Sequence, residues 1–140
     1  MNCERTYVCI TEDGSCEGMS KPKKERVEDV DEVYSVLSQE MAECWWMFGE
    51  GKINYIGKKG LQKNYCSICS QVLFDDSLNN LEGVENGRIS QDELYDYMKK
   101  HNISISEGQG QESKSYAEYI LGTNNLTALK EQIMSHENYS

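Results

Sequence analysis

The chain has 140 residues, 16.0 kDa, with 14 Lys plus Arg against 24 Asp plus Glu and a formal net charge of -10. That length suits one domain, 1–140, and the acidity excludes nucleic acid as a natural partner, because phosphate is repelled by such a surface. Leu, Ile, Val and Phe supply only 27 of the residues, a content that at this charge borders on disordered chains, so Tyr, Trp, Met and six Cys must supplement the core.

Residues Thr6 to Thr11, TYVCIT, alternate and are rich in β-formers, which predicts a strand followed by a turn at Asp13 and Gly14. Residues 14–26, holding the only proline and the basic cluster KPKKER, lack periodicity and read as an exposed loop. Val30, Val33, Tyr34, Leu37, Met41, Cys44, Trp45 and Phe48 then recur at spacings of three and four. This predicts a long amphipathic helix over Val27 to Phe48, with acids at its start and Gly49 as its C-terminal cap. Two adjacent tryptophans cannot both face the core from one helix, so Trp45 is assigned inward and Trp46 outward, toward a possible contact surface.

Ile53 to Ile56 is expected to form a short strand in a lysine-bearing rim, Lys52 to Lys63, which includes Tyr55 and Lys58. Since Val27 to Glu50 holds seven acids and no base, these lysines are assigned to charge balance rather than to nucleic acid. Tyr65 to Phe74, YCSICSQVLF, reads as another strand. Ser90 with Glu93 and Ser115 with Glu118 form capping boxes, opening one helix over Gln91 to His101 and a second carrying Tyr116, Tyr119 and Ile120. Between them 106–114 is a flexible polar connection, and Leu126 to Met134 is helical in pattern.

The even set of cysteines points to disulfides. Cys9 and Cys16 flank the first turn and are expected to close a small loop. Cys44, on the helix stripe, is expected to reach Cys66, leaving Cys3 for Cys69, although those last two pairings are interchangeable. Cys66 and Cys69 could instead form a zinc knuckle or a redox pair. CSIC lacks the tight turn and matching second pair that zinc requires, and it lies in a β-rich run rather than at a helix start.

Glu82 to Glu93, EGVENGRISQDE, matches the second half of a calcium loop, with Asn86, Gly87, Ser90 and Glu93 in place. Glu82 at position one and Val84 at position three depart from it, and a capped helix after a turn explains the same letters. Calcium through Glu82, Asn86, Ser90 and Glu93 is therefore kept as an alternative. His101 and His136 stand in no nucleophile or metal motif, and GKKG lacks phosphate-loop spacing, so no catalytic residue and no cofactor is assigned. Asn102-Ile103-Ser104, Asn125-Leu126-Thr127 and Asn138-Tyr139-Ser140 are three N-glycosylation sequons where this composition supplies about one by chance.

The segments ECWWMFGEGKINYIG, YCSICSQVLFDD, ISQDELYDYM and SYAEYILG, within Cys44 to Gly122, resemble a group of uncharacterised archaeal membrane-anchored proteins with a cysteine-rich extracytoplasmic domain. The resemblance implies an anchor upstream of a domain outside the cytoplasm and carries over no activity. No apolar run here approaches the roughly 18 residues of a span, and MNCERTYVCI lacks signal-peptide anatomy, so the chain reads as a trimmed domain.

Together these observations predict a disulfide-stabilised α+β fold, a small and mostly antiparallel sheet from the Thr6, Ile53 and Tyr65 regions against one long amphipathic helix, with C-terminal helices beyond. The expected role is a non-enzymatic extracytoplasmic module binding a protein partner or assembling with itself through Trp46, Tyr55 and Lys58. A thiol-disulfide oxidoreductase using the CxxC pair is the alternative from another class.

Overall fold

The computed structural model describes residues 6–51, 69–103 and 114–125, together with Thr127 and Glu131. The expected strand at Ile53, the lysine rim with Tyr55 and Lys58, Cys3, Cys66, His136, residues 106–113 of the polar connection and most of Leu126 to Met134 lie outside them.

Strand β1 (Thr6–Thr11) forms as its alternation predicts. Its burial, however, is not one-sided, because Val8, Cys9, Ile10 and Thr11 are all at most 1% exposed. Burial on both faces is the property of a central strand in a parallel sheet. Accordingly β1 lies between β2 (Lys23–Arg26) and β3 (Ser70–Phe74), and both pairings are parallel. The expected antiparallel sheet is thus corrected to an all-parallel one.

Strand β2 also corrects the exposed loop assigned to 14–26. Its sequence, KKER, has no apolar residue and so no hydrophobic period. Pairing with β1 alone makes it a strand, and its charged side chains suit an open sheet edge. Nor is the rest of that segment unpacked, since Cys16 is buried.

Helix α1 (Val30–Met47) carries the chain over from β2 to β3, which are not neighbours. It starts three residues later than predicted and has 18 residues. Asp29 caps it, accepting from the Glu32 N–H at 2.9 Å, and Glu32 in turn accepts from the Glu28 N–H. At the other end the Phe48 N–H bonds the Cys44 carbonyl and Gly49 takes the left-handed backbone expected of a terminator. Helices α2 (Gln91–Lys100) and α3 (Tyr116–Leu121) begin at the capping serines Ser90 and Ser115.

Helix α1 serves two apolar clusters. Val30, Val33, Val36 and Leu37 pack on Ile10, Val72 and Phe74 of the sheet and on Leu78 and Val84. Farther along, Ala42 meets Met98 of α2 and Tyr116 and Ala117 of α3. Gly83 lies against the helix start, where an added Cβ would fall 3.2 Å from Val30 Cγ1, on a backbone with φ of +96°. Between the clusters Ser38 is fully buried, and among the described residues its hydroxyl has no hydrogen-bond partner.

Two substitutions separate packing from polar burial. Leu78→Ala, which opens a hole in the sheet-side cluster, should cost about 3 kcal/mol of unfolding free energy. Ser38→Ala, which removes an unpaired buried hydroxyl of similar size, should be neutral or stabilising by up to about 1 kcal/mol. Urea unfolding measures both, and a Ser38→Ala loss matching that of Leu78→Ala would show that the hydroxyl is engaged.

Candidate functional site

Two disulfides fasten the described chain. Cys9, on the sheet face turned away from α1, is bonded to Cys16, as the turn predicted, and holds the β1–β2 connection on that face. Cys44 is bonded to Cys69, with Cα atoms 5.6 Å apart. This is the exchanged form of the two interchangeable pairings, with Cys44 on Cys69 rather than on Cys66 and Cys69 therefore not on Cys3. Cys44 lies in the last turns of α1, and Cys69 immediately precedes β3, where its carbonyl accepts from the Thr6 N–H. The bond therefore joins the end of the helix to the start of the strand it covers. It also divides the CxxC pair, since Cys69 is committed to α1. Among the described residues no cysteine is free, as an oxidising, extracellular-type environment would leave them.

Beside the Cys44–Cys69 bond lies an apolar trough of about 470 Å³. Leu37, Met41, Cys44, Trp45 and Phe48 form one wall, a single stripe of α1 at spacings of three and four. Val72 of β3 and Ile120 of α3 form the other sides. Glu40 sits at the polar margin, 3.2 Å from Lys23 of the edge strand, and that hydrogen bond raises the lysine's pKa. Trp45, expected in the core, is half-buried as a wall of the trough, while Trp46 is 48% exposed on the flank beside Met47 at 67%.

A second constellation arises from the parallel sheet, which brings the C-terminal ends of β1 and β3 together. There Asp75 Oδ2 accepts from the hydroxyls of Ser77 at 2.6 Å, Thr11 at 2.9 Å and Ser15 at 2.9 Å. Ser77 and Thr11 themselves accept from the N–H groups of Glu12 and Gly14. Ser77, then Thr11 and Ser15, lower the Asp75 carboxyl to about 2. Ser15 likewise holds Asp13 below the usual carboxylate range. The carboxylate is satisfied from within, so the knot ties loop to strand. Sequence reading missed it although the signals, TEDGS and FDDS, both follow strands. Only the parallel pairing places them side by side.

The calcium candidates occupy other roles. Asn86 and Gly87, with φ of 51° and 70°, turn a short hairpin in which Glu85 and Arg88 exchange backbone hydrogen bonds, the geometry favoured by Asn-Gly. Ser90 caps α2, and the Glu93 carboxylate accepts from Tyr34 Oη at 2.8 Å. Burial, then that carboxylate, pushes the Tyr34 phenol upward. Glu82 stands in the turn ahead of Gly83. Among the described residues no group of three or more His, Cys, Asp or Glu could hold a metal ion. His101 stacks on Tyr97 at 3.8 Å at the end of α2.

The chain matches no protein-family model, no curated protein and no solved structure. No described helix is long and apolar enough to cross a membrane.

Two measurements check these assignments. The Asp75 carboxyl titrates at about 2 in the fold against about 4 when unfolded, so its ionised form stabilises above pH 4 or so and loses that effect as pH falls through about 2. The stability gap between wild type and Asp75→Asn should therefore be widest near neutrality and narrow over that acidic window. A gap that stays constant would refute the knot. Replacing Cys44 and Cys69 together by Ala should cost about 3 kcal/mol, and replacing Cys9 and Cys16 about 2 kcal/mol, because the first pair closes the longer loop. Denaturation under non-reducing conditions tests that order.

Proposed function

We propose that the chain is a non-enzymatic, disulfide-stabilised module that works outside the cytoplasm and binds a protein partner through the trough between α1, β3 and α3. The supporting observation is the trough itself. A chain with so few aliphatic residues nonetheless leaves a cavity of about 470 Å³ lined by Leu37, Met41, Trp45, Phe48, Val72 and Ile120. Concave apolar sites of a few hundred Å³ are where binding concentrates. Exposed apolar area of this kind also marks contact surfaces rather than inert exterior.

The occupant is a segment that inserts an apolar anchor and carries basic residues beside it. A net charge of -10 attracts such a segment and repels acidic competitors. Trp46, on the flank, extends the contact. The resemblance to archaeal membrane-anchored proteins supports an outer-face location with a tether upstream, and the paired cysteines agree with that compartment. A thiol oxidoreductase using Cys66 and Cys69 loses support from the bond between Cys69 and Cys44.

Panning a displayed peptide library against the oxidised chain tests the proposal. Enriched peptides should share an apolar anchor flanked by Lys or Arg. Met41→Glu, at a 37% exposed position on the trough wall, should weaken them at least about tenfold, or 1.4 kcal/mol. Peptides that bind this variant and wild type equally, or a library that yields no enrichment, would overturn it.

A further inference from the structure

The strand order leaves β2 and β3 on the outside of the sheet, and their sequences treat an open edge in opposite ways. Strand β2, KKER, carries a charge at every position, a common guard against pairing with another chain. Strand β3, SQVLF, carries none. Its register with β1 fixes which backbone groups are left over. Thr6 lies opposite Ser70, Val8 opposite Val72 and Ile10 opposite Phe74, and in a parallel ladder each of these β1 residues bonds the residues on either side of its partner. At the two ends of that ladder the Thr6 N–H donates to the Cys69 carbonyl and the Asp75 N–H to the Ile10 carbonyl. Gln71 and Leu73 therefore turn their N–H and C=O groups toward β1, whereas Ser70, Val72 and Phe74 turn theirs to the outer edge. Among the described residues no strand lies beyond β3 to take them. The same alternation aims these side chains at α1, where Val72 and Phe74 pack in the sheet-side cluster and Ser70 and Val72 line the trough. Among the described residues none from β1 lines the trough, so it lies over the outer side of β3.

We propose that the partner binds by adding a strand to the free edge of β3, an inference that rests on the trough reading above. The occupant is an extended segment of a protein chain running antiparallel to β3, the pairing that is the more stable per residue. In that alignment the residue opposite Val72 exchanges both backbone hydrogen bonds with it, and its side chain lies on the α1 face, toward Met41 and Trp45. One residue of the partner thus meets the ladder and the trough together. Its neighbours turn to the other face, beside exposed Gln71 and Leu73. Lys or Arg flanking the anchor suits exposed Asp76 just beyond β3 and the net charge of -10, and that charge opposes a second copy of this chain on the same edge.

The probe is a synthetic, end-capped peptide of the sequence most enriched in the panning above, bearing one backbone N-methyl group at a time. Each methyl removes one N–H donor and leaves the side chains unchanged. Affinity should fall at least about tenfold at every second position of the bound stretch, the apolar anchor among them, and stay within about twofold at the positions between. Amide exchange on the intact, oxidised chain reads the other side of the pairing. In the free chain the Leu73 amide should exchange slowly and those of Val72 and Phe74 fast, and bound peptide should slow the latter two. An enriched peptide that Met41→Glu weakens but whose N-methyl scan shows no alternation would overturn strand addition and leave the trough reading standing, whereas a library without enrichment would overturn both. Val72 and Phe74 amides already slow in the dilute free chain would show the edge closed by the chain itself, and slowing that grows with protein concentration alone would assign it to a second copy. Either result overturns the proposal.

Discussion

The burial of β1 on both faces and along both edges is the constraint on which the rest of the structure depends. Val8, Cys9, Ile10 and Thr11 are shut away from water, so two strands must flank this one and two layers must cover it. Because both flanking strands run parallel, neither can be reached by a tight hairpin. One crossover is α1, which covers the face bearing Ile10 and Val72. The other is the loop between β1 and β2, which has no helix and covers the opposite face through its bond from Cys16 to Cys9. Parallel alignment also sends the ends of β1 and β3 to the same place, and the knot around Asp75 follows from that.

A second consequence is that α1 must be shared. With so few aliphatic residues, the chain cannot give the sheet and the C-terminal helices a separate core layer each. The first half of α1 therefore presents valines to the sheet, while Ala42 admits Tyr116 and Met98 close to the helix. Tyr34 bridges the halves, its ring 6.2 Å from that of Tyr97 and its hydroxyl on Glu93. Ser38 sits where the two clusters meet, a small residue at a position that neither cluster fills. Covalent bonds then add what aliphatic packing does not, at the two ends of the sheet system rather than in its centre.

What was legible in the sequence is what depends on local physics. The stripe of α1, the capping serines of α2 and α3, strand β1 and the Cys9–Cys16 closure all reflect spacings within a few residues. Strand β2 was illegible because KKER buries nothing, and its partner is chosen by the loop before it. Sheet direction was illegible for the same reason, since alternation in β1 says that a strand exists but not which way its neighbours run. Glu82 to Glu93 shows the limit in another form. Asn86-Gly87 followed by a capped helix serves a hairpin and a calcium loop alike, and neither the hairpin pairing nor the reach of Glu93 to Tyr34 can be read from those letters. The trough was not legible, because its α1 wall reads in the sequence as a core-facing stripe and its far wall comes from β3 and α3.

The trough and the Cys44–Cys69 bond are best understood together. A binding surface built from one helix stripe and one edge strand would lose affinity if its walls moved independently, because ordering them would be charged against every binding event. The bond removes that motion at the point where α1 and β3 meet, and Cys44 and Cys69 are themselves part of the wall. Glu40 and Lys23 add a polar clasp from α1 to the opposite edge strand. One cysteine pair thus belongs to the trough wall and also fastens the helix to the strand. On the proposed reading, a trough held at this point by a disulfide would tie the binding of a partner to a compartment in which disulfides persist.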